Sequence, residues 1–380
     1  MNKNKYDYII IYDRIYSYDG EKVTIGGIQT YLVELALLIQ EMGKSVLVLQ
    51  RGYKQFERQY RNVCFLAENK KVDKLVSFRE LASKAVELIK SDGVVIWGND
   101  QTSVKIREIK TISIQHGITF DIEGIENRLK RNLIGTPFYS LYRFAQRFNA
   151  IRKFERSDYH VCVDYNFINW YRTYKNNKAL KQTKVIPNFS NTYEVIPIKD
   201  DNRISIVFAR RFVERRGVHL FCQAIKCINS EYDNVDFYIA GEGPYKKKME
   251  LDLKGLDNVY FCSFRPEDSL FFHADKTIAV VCSIGSEGTS LSLLEAMAAG
   301  CAVISTNVGG LTNIVIDNHN GLLCEPNTDS ICNAMRMLIN DEDKRKRLAI
   351  NAFYTIKDSF NILKWKDEWK SMLLNIEGKQ

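Results

Sequence analysis

The sequence predicts an α/β protein with two domains, each built on a parallel sheet whose faces are covered by helices. A chain of 380 residues is too long for one hydrophobic core of ordinary size. An apolar strand, a glycine-containing loop, a helix and a second strand follow one another near the N-terminus and again between residues 278 and 306. This order is typical of parallel sheets, and its repetition predicts one such sheet in each half of the chain.

The N-terminal half supplies the first alternation of strands and helices. Tyr6–Tyr12 is an apolar strand, Gly26-Gly27 forms the loop, Ile28–Met42 has helical spacing of its apolar residues, and Ser45–Leu49 is the next strand. Gly43 is placed to end the helix. Further along we expect a helix at 78–90, strands at 94–97, 111–115 and 160–163, and a helix from residue 167. His116 therefore follows a strand end, where ligand-facing residues of open α/β sheets lie.

A change of domain is predicted near Pro187, where a breaker is followed by the polar stretch 199–203. Strand 204–209 then runs into Arg210-Arg211-Phe212-Val213-Glu214-Arg215-Arg216-Gly217. Guanidinium groups pair bidentately with phosphate oxygens, so four arginines at a strand end predict a diphosphate site, with a solvated charge cluster as the alternative. The later Gly241-Glu242-Gly243 lacks the third glycine of a dinucleotide fingerprint, which disfavours an oxidoreductase.

The segment Ser283–Gly310 carries the most specific pattern. Thr289 and Ser290 are suited to cap a helix that Gly300 ends, and strands are expected on both sides, at 278–282 and 302–306. A helix N-terminus after a parallel strand favours an anion, most simply phosphate. Glu287 and Glu295 bracket that position, and because a carboxylate repels phosphate, each is expected to accept hydrogen bonds from hydroxyl groups. A phosphate with hydroxyl-bearing rings describes a nucleotide sugar.

Glu287-x7-Glu295 within SEGTSLSLLEAMAAG, followed by Gly309-Gly310, resembles the donor-site signature of retaining glycosyltransferases of family 4, which have the GT-B fold. The resemblance implies two Rossmann-like domains facing across a cleft, over residues 1–188 (acceptor) and 189–358 (donor). A C-terminal helix, 359–380, would return to the first domain. It further implies that Glu287 contacts the donor sugar, Glu295 the ribose, and Arg211 and Arg216 the pyrophosphate, although lysine is usual at position 216. The remaining implied donor contacts are His116 on the sugar, the glycine loop at Gly27, and backbone groups of Gly288, Thr289, Ser290 and Leu291.

A basic segment, residues 128–156, differs in character from the rest of the first half. It holds eight basic residues against one acid, Glu155, with aromatic residues interleaved. Leu141, Phe144, Phe148 and Ile151 keep helical spacing. Two interpretations stand side by side: a helix that lies on an anionic membrane surface, and a helix packed on the domain core with solvated arginines. Aromatic residues among basic ones could also bind single-stranded nucleic acid. No recognition-module signature accompanies them, however, so we expect no nucleic-acid partner.

Bulk properties limit the cellular setting and the cofactors. The composition, 45% hydrophobic and 26% charged, is that of a globular protein, no apolar run approaches a bilayer's thickness, and the first residues lack a signal peptide's apolar core. We expect a cytoplasmic protein, with a peripheral position on the inner face of the plasma membrane as an alternative. Nine cysteines without a Cys-x-x-Cys pair indicate reduced thiols. Asp341-Glu342-Asp343 has the spacing of a metal-binding Asp-x-Asp, yet it falls at a predicted helix N-terminus, so no metal and no cofactor are expected.

Together with this family resemblance, the sequence predicts a metal-independent hexosyl- or N-acetylhexosaminyltransferase, and the resemblance implies that the reaction retains the anomeric configuration. Glu287, His116, Arg211 and Arg216 are its expected catalytic residues. The donor is expected to be a UDP- or GDP-sugar and the acceptor a saccharide or lipid-linked saccharide, in the synthesis of envelope polysaccharide such as O-antigen, capsule or lipopolysaccharide. The alternative is a non-catalytic subunit of the same fold that binds a sugar nucleotide or a polysaccharide, because a fold does not guarantee activity.

Overall fold

A computed structural model describes residues 5–24, 26–69, 74–118, 132–174, 178–197, 199, 203–285 and 287–378, with the side chains of 178 and 179 left out. The chain divides into two compact units. The first takes its described residues from Met1–His116, Leu129–Pro187 and Trp365–Gln380, and the second takes them from Gly117–Arg128 and Asn188–Lys364. Each unit is described by itself.

The first unit contains an eight-stranded sheet in the order β3-β4-β2-β1-β5-β6-β7-β8. All neighbouring strands are parallel except β3 and β4. The strands are β1 (Tyr6–Tyr12), β2 (Val46–Gln50), β3 (Phe56–Tyr60), β4 (Val63–Ala67), β5 (Ile89–Trp97), β6 (Lys110–Gln115), β7 (Tyr159–Cys162) and β8 (Thr183–Val185). The helices are α1 (Gly27–Glu41), α2 (Phe78–Leu88), α3 (Phe138–Phe154), α4 (Tyr165–Tyr174) and α5 (Lys178–Lys181).

Apolar burial explains why this sheet forms as the sequence predicts. Ile9 and Ile11 of β1 pack with Leu47 and Leu49 of β2 in one cluster that also contains buried residues of α2, such as Leu81. Helix α2 begins with a capping box, in which the Ser77 hydroxyl accepts from the Glu80 amide and the Glu80 carboxylate accepts from the Ser77 amide. The sequence predicts that this helix extends to Lys90, but it ends at Leu88. The reason is that β5 begins at Ile89 and pairs with β1 through a register shift.

An antiparallel hairpin of β3 and β4 lies at one edge of this sheet and is absent from the sequence prediction. Tyr60 pairs with Val63, so the turn consists of Arg61 and Asn62 alone. Both have positive φ, 49° and 64°. Two successive left-handed residues form a type I′ turn, for which asparagine and glycine are the usual residues and arginine is an unusual one. Strand β3 is mostly exposed, as expected of a charged edge strand.

The second unit contains a six-stranded, all-parallel sheet in the order β11-β10-β9-β12-β13-β14. Its strands are β9 (Ile204–Ala209), β10 (Val235–Ala240), β11 (Val259–Cys262), β12 (Ile278–Val281), β13 (Ala302–Thr306) and β14 (Leu322–Cys324). Its helices are α6 (Val218–Asn229), α7 (Lys246–Asp252), α8 (Ser269–Ala274), α9 (Leu291–Ala298), α10 (Thr328–Asn340) and α11 (Glu342–Ser359). Helix α12 (Ile362–Glu377) begins within this unit's range and belongs to the first unit from Trp365 onward.

Both faces of this second sheet are covered. Phe208 of β9 packs in the cluster that holds Phe221 of α6, whereas Val207, the neighbouring residue, packs in the cluster that holds Leu294 of α9. Alternate side chains of one strand thus enter different cores, which is the pattern that near-continuous apolar runs predict. The predicted end of helix α9 is confirmed, because Gly300 adopts the left-handed conformation with φ 72°. None of the helices in the described ranges is both long and apolar enough to cross a bilayer.

Candidate functional site

The arginine loop that follows β9 is fixed by glycines that leave no room for a side chain. Gly217 has φ 72°, and a Cβ there would overlap the carbonyl oxygen of Cys282, at the end of β12. A Cβ at Gly241 would likewise overlap the carbonyl of Arg210, and one at Gly243 the carbonyl of Phe212. The close approach is supported by the Phe212 amide, which donates to the Glu242 carbonyl at 2.9 Å. The Gly-x-Gly after β10 therefore shapes the arginine loop.

A buried ionic cluster forms at the carboxyl ends of β9 and β12. The Glu287 carboxylate is buried, and its Oε2 accepts hydrogen bonds from Arg210 Nη2 at 2.9 Å and from Ser283 Oγ at 2.7 Å. Arg216 forms an ion pair with the same oxygen. Arg210 also donates to Ser283 Oγ at 2.9 Å and to Ser290 Oγ at 3.4 Å. One acidic residue is thus held by two arginines.

The charges of this cluster favour a further anion. Two guanidinium groups face one carboxylate, so the three side chains together carry a net positive charge. Burial lowers the pKa of Arg210 to about 10, which still leaves the group charged at neutral pH. Within the described parts of the chain, all the hydrogen bonds that Glu287 makes through its side chain end on Oε2. Its Oε1 can therefore accept a hydrogen bond from a ligand hydroxyl.

Arg210 and Arg211 have different environments although they are neighbours. Arg210 is buried in the ionic cluster, whereas Arg211 is exposed, and no hydrogen bond or ion pair of its guanidinium occurs among the described residues. The sequence predicts a donor contact for Arg211 and no individual role for Arg210. The alternation of buried and exposed residues along a strand could have indicated that one of two adjacent arginines at its end turns inward.

The N-terminus of helix α9 differs from the prediction in one respect. Ser290 is at the N-cap position, but its side chain makes no capping hydrogen bond, so the predicted capping role of its hydroxyl is wrong. The reason is that Ser290 Oγ accepts from Arg210 and lies 3.2 Å from Ser292 Oγ. The backbone N–H groups of the first turn consequently lack that cap, and such groups bind anions.

The loop of Glu287, Gly288 and Thr289 lies against the glycine pair that follows β13. The Gly310 amide donates to the Glu287 carbonyl at 2.7 Å. A Cβ at Gly310 would overlap the backbone of Gly288, and Gly309 has φ 53°. Both glycines are therefore required for the loop to pack, which explains their presence in the sequence pattern. On the other side, Asn188 Nδ2 donates to the Thr289 carbonyl.

Glu295 lies in the second turn of α9, as predicted, and differs from Glu287 in its surroundings. It accepts one hydrogen bond, from Ser269 Oγ at 2.6 Å. No arginine pairs with it in the described part of the chain, and burial raises the pKa of Glu295 to about 7. The carboxyl group is therefore partly protonated at neutral pH and can both donate and accept hydrogen bonds to a diol.

His116 and Gly27 belong to the first unit. His116 directly follows β6, as predicted, and its Nε2 lies 2.9 Å from the Gly98 carbonyl oxygen. Because a carbonyl only accepts, Nε2 carries the proton, and burial lowers the pKa of His116 to about 4. The neutral ring therefore keeps Nδ1 as an acceptor. Gly27 is the first residue of α1, after Gly26. Their predicted donor contacts stay predictions.

The acidic stretch Asp341-Glu342-Asp343 has the structural role that the sequence predicts. Asp341 is the N-cap of α11, and its Oδ1 accepts from the Lys344 amide at 2.9 Å. Across the residues that the structure describes, no group of three or more histidine, cysteine, aspartate or glutamate side chains is arranged to hold a metal ion. The candidate site in the second unit combines arginines, two glutamates and a helix N-terminus.

Comparison with known proteins assigns the fold. The chain superposes on Anabaena HepE, solved in complex with UDP-glucose, with a TM-score of 0.71 at 14% identity, covering 97% of this chain and 99% of the other. The fold is GT-B. Residues 190–354, which hold the ionic cluster and both glutamates, match the sequence family described as Glycosyl transferases group 1. That segment lies within the second unit of the GT-B fold.

Two curated relatives have the word transferase in their names. An uncharacterized glycosyltransferase of Methanocaldococcus jannaschii is 26% identical over 342 residues, which cover 86% of this chain and 88% of the relative. A Campylobacter jejuni enzyme named as an α-1,4-N-acetyl-D-galactosaminyltransferase acting on an undecaprenol-diphosphate-linked saccharide is 27% identical over 177 residues, 46% of this chain and 48% of its own. The matched family and these names support glycosyltransferase activity.

Proposed function

We propose that this protein transfers a sugar from a nucleotide-diphosphate sugar to a saccharide or lipid-linked saccharide, with retention of anomeric configuration. The observation that carries the proposal is the ionic cluster of Arg210, Arg216 and Glu287 beside the uncapped N-terminus of α9. It combines positive charge for a diphosphate with a carboxylate oxygen for a hydroxyl. A nucleotide sugar contains both groups in one molecule.

The proposed roles follow from these surroundings. Arg211, exposed and without a side-chain partner in the described residues, and Arg216 bind the diphosphate together with backbone groups of Gly288, Thr289, Ser290 and Leu291. Glu287 accepts a hydroxyl of the donor sugar through Oε1. Glu295 binds the ribose diol. Arg210 does not contact the donor and instead holds Glu287 in position from the buried side.

Catalysis in this proposal is electrostatic. As the bond between the sugar and the diphosphate breaks, negative charge grows on the leaving diphosphate. Guanidinium groups and helix N–H groups that are already oriented stabilise that charge without further reorganisation, which is often the largest contribution to catalysis. The arginines perform the neutralisation that a divalent cation performs in other transferases, so we propose that the reaction requires no metal and no cofactor besides the donor.

The donor and acceptor classes are proposed from the relatives. HepE was solved with UDP-glucose, and a related protein from Mycobacterium tuberculosis is named as a GDP-mannose-dependent mannosyltransferase. We therefore propose both UDP- and GDP-sugars as donors. The Campylobacter jejuni name includes a lipid-linked saccharide acceptor and transfer of an N-acetylhexosamine. A hexosyl- or N-acetylhexosaminyltransferase of envelope polysaccharide synthesis is the corresponding proposal for this chain.

A panel of UDP- and GDP-sugars in a thermal-shift assay tests donor binding. A bound donor raises the unfolding temperature by mass action, and a ligand at a hundred times its Kd stabilises by about 2.7 kcal/mol. We expect one nucleotide sugar to raise the midpoint more than its free nucleoside diphosphate does, because Glu287 adds a contact to the sugar. Equal shifts for all nucleotides, including the free diphosphates, would contradict a sugar-binding role.

Two further measurements test the reaction. Glu287→Gln keeps the size of the side chain but removes its charge, and we expect a large loss of sugar transfer; transfer at the wild-type rate would refute the role of Glu287. Proton NMR of the product tests retention, which requires the anomer of the donor to reappear in the product. A product with the opposite anomer would overturn that part of the proposal while leaving donor binding intact.

A further inference from the structure

Helix α3 has its fully buried residues at its C-terminal end. Its buried residues are Ala150, Ile151 and Phe154, all in its C-terminal part. Phe154 stacks on His160 with ring centroids 4.2 Å apart and also packs against Phe167 at 4.7 Å. The first twelve residues of the helix, Phe138–Asn149, contribute none of its buried residues. Core packing therefore fixes the helix direction but does not explain the apolar residues of its N-terminal part.

Large apolar side chains of α3 form its most exposed face. Phe138 is 69% exposed, Leu141 67%, Phe144 56% and Phe148 51%. Their spacing of three, three and four residues places them along one stripe of the helix. Ile134, one turn before the helix, is 50% exposed. A solvated surface helix has the opposite arrangement, with apolar residues inward and polar residues outward.

The size of this stripe sets it apart from ordinary surface residues. An aromatic side chain presents about 150 to 250 Å². The stripe therefore presents on the order of 500 Å² of apolar surface within fifteen residues, from five large side chains that are each at least 50% exposed. Isolated exposed apolar residues need no explanation, but a continuous patch of this size indicates an interaction surface.

Charge identifies the kind of partner. The segment 128–156 contains eight basic residues and one acid, Glu155, and the acid is engaged because Tyr171 Oη donates to it at 2.6 Å. Arg152, four residues after Phe148, is exposed and places a positive charge at the end of the apolar stripe. An apolar stripe followed by an exposed arginine, in a segment rich in basic residues, matches the boundary of an anionic bilayer, where acyl chains meet negatively charged headgroups. A second copy of the chain would bring the same basic residues together, which is unfavourable.

We propose that the apolar stripe formed by Ile134 and by Phe138, Leu141, Phe144 and Phe148 of α3 docks this protein onto the surface of an anionic membrane. The phenylalanines and the leucine enter the boundary between headgroups and acyl chains, and Arg152 contacts the lipid phosphates. This goes beyond the proposed function, and it does not depend on it, because a helix can lie on a bilayer whatever the chain transfers.

Co-sedimentation of the full chain with lipid vesicles tests the proposal. The vesicles are phosphatidylcholine alone, or phosphatidylcholine with about a third phosphatidylglycerol. We expect sedimentation with the anionic vesicles, a partition coefficient at least tenfold lower with the neutral ones, and weaker binding at high salt. Equal partitioning into both kinds of vesicle, or none into either, would overturn it. No nucleotide sugar is present, so this result is separate from the outcome of the transfer assays.

A matched pair of variants connects binding to the stripe. Phe144→Ser/Phe148→Ser removes two exposed rings from α3, and Leu251→Ser/Phe271→Ser removes two exposed apolar side chains of the second unit, 71% and 78% exposed. Circular dichroism confirms that each is folded. We expect the first variant to lose at least tenfold in vesicle partitioning and the second to bind like the wild type. Equal losses, or a stripe-dependent dimer in sedimentation velocity without vesicle binding, would refute the membrane assignment.

Discussion

The two adjacent arginines after β9 should separate stability from donor binding. Arg210 is buried and bonded to Glu287, Ser283 and Ser290, whereas Arg211 is exposed. We compare Arg210→Met with Arg211→Met, because methionine keeps an unbranched side chain and removes the guanidinium. Arg210→Met is expected to destabilise the protein, and Arg211→Met to weaken donor binding without changing stability.

The magnitudes follow from the contacts. Removing one partner of a buried ion pair costs about 3 to 5 kcal/mol. Glu287 retains Arg216 and the Ser283 hydroxyl after the substitution, so we expect the lower end, about 3 kcal/mol. Exposed substitutions usually change the free energy of unfolding by no more than about 0.5 kcal/mol. A hydrogen bond to a charged group contributes about 1.5 to 3 kcal/mol, so Arg211→Met should weaken donor binding about ten- to a hundredfold.

Urea unfolding followed by far-UV circular dichroism measures the stability difference, and calorimetric titration measures the donor affinity. Tryptophan fluorescence alone does not suffice, because Trp97, Trp170, Trp365 and Trp369, the four tryptophans of the chain, all belong to the first unit. Equal unfolding free energies for the two variants would refute the structural role given to Arg210. Wild-type donor affinity in Arg211→Met would refute the assignment of that residue to the diphosphate.

Three other predictions concern Glu295, Gly217 and metal. Burial raises the pKa of Glu295 from 4.5 to about 7, so the folded protein disfavours the ionised carboxylate. The free energy of unfolding therefore decreases by up to about 3 kcal/mol as the pH rises from about 4.5 through 7. Glu295→Gln lacks this loss, and its unfolding temperature relative to the wild type should increase between pH 5 and pH 8; a difference that does not change with pH would contradict the raised pKa. Gly217→Ala should have a much lower melting temperature than Gly43→Ala. The two glycines share φ near 72°, but of the two only Gly217 has neighbouring atoms within 4 Å of an added Cβ. Comparable melting temperatures would count against the close packing on Cys282. Dialysis against EDTA should leave the rate of sugar transfer unchanged, and a loss that Mg²⁺ or Mn²⁺ restores would show that the arginines do not suffice.

The parts of the second unit that are predictable from sequence are those where a single local rule determines the backbone conformation. Strands β12 and β13 are short apolar runs that a parallel sheet buries, and Gly300 ends α9 because glycine adopts positive φ without cost. Asp341 caps α11 for an equally local reason. In these cases the residue type, its neighbours along the chain and the resulting backbone conformation agree.

The features that escaped prediction depend on contacts between distant parts of the chain. Arg210 and Arg211 are chemically identical, and the ion pair that distinguishes Arg210 joins it to Glu287, 77 residues further along the chain. Arg210 also donates to the Ser290 hydroxyl, which makes no capping hydrogen bond although its sequence position suggests one. The hairpin of β3 and β4 was missed because Arg61-Asn62 lacks the glycine of the common two-residue turns and β3 is charged.

The central claim is that the arginine loop and helix α9 bind the diphosphate of a sugar donor and promote its departure. The most direct test is release of nucleoside diphosphate from a panel of UDP- and GDP-sugars, without acceptor and with a saccharide or lipid-linked acceptor, by wild type and by Arg211→Met. We predict slow release from at least one donor, acceleration by an acceptor, and at least a tenfold loss in the variant. Absence of release from every donor, or equal release by both proteins, would contradict the claim.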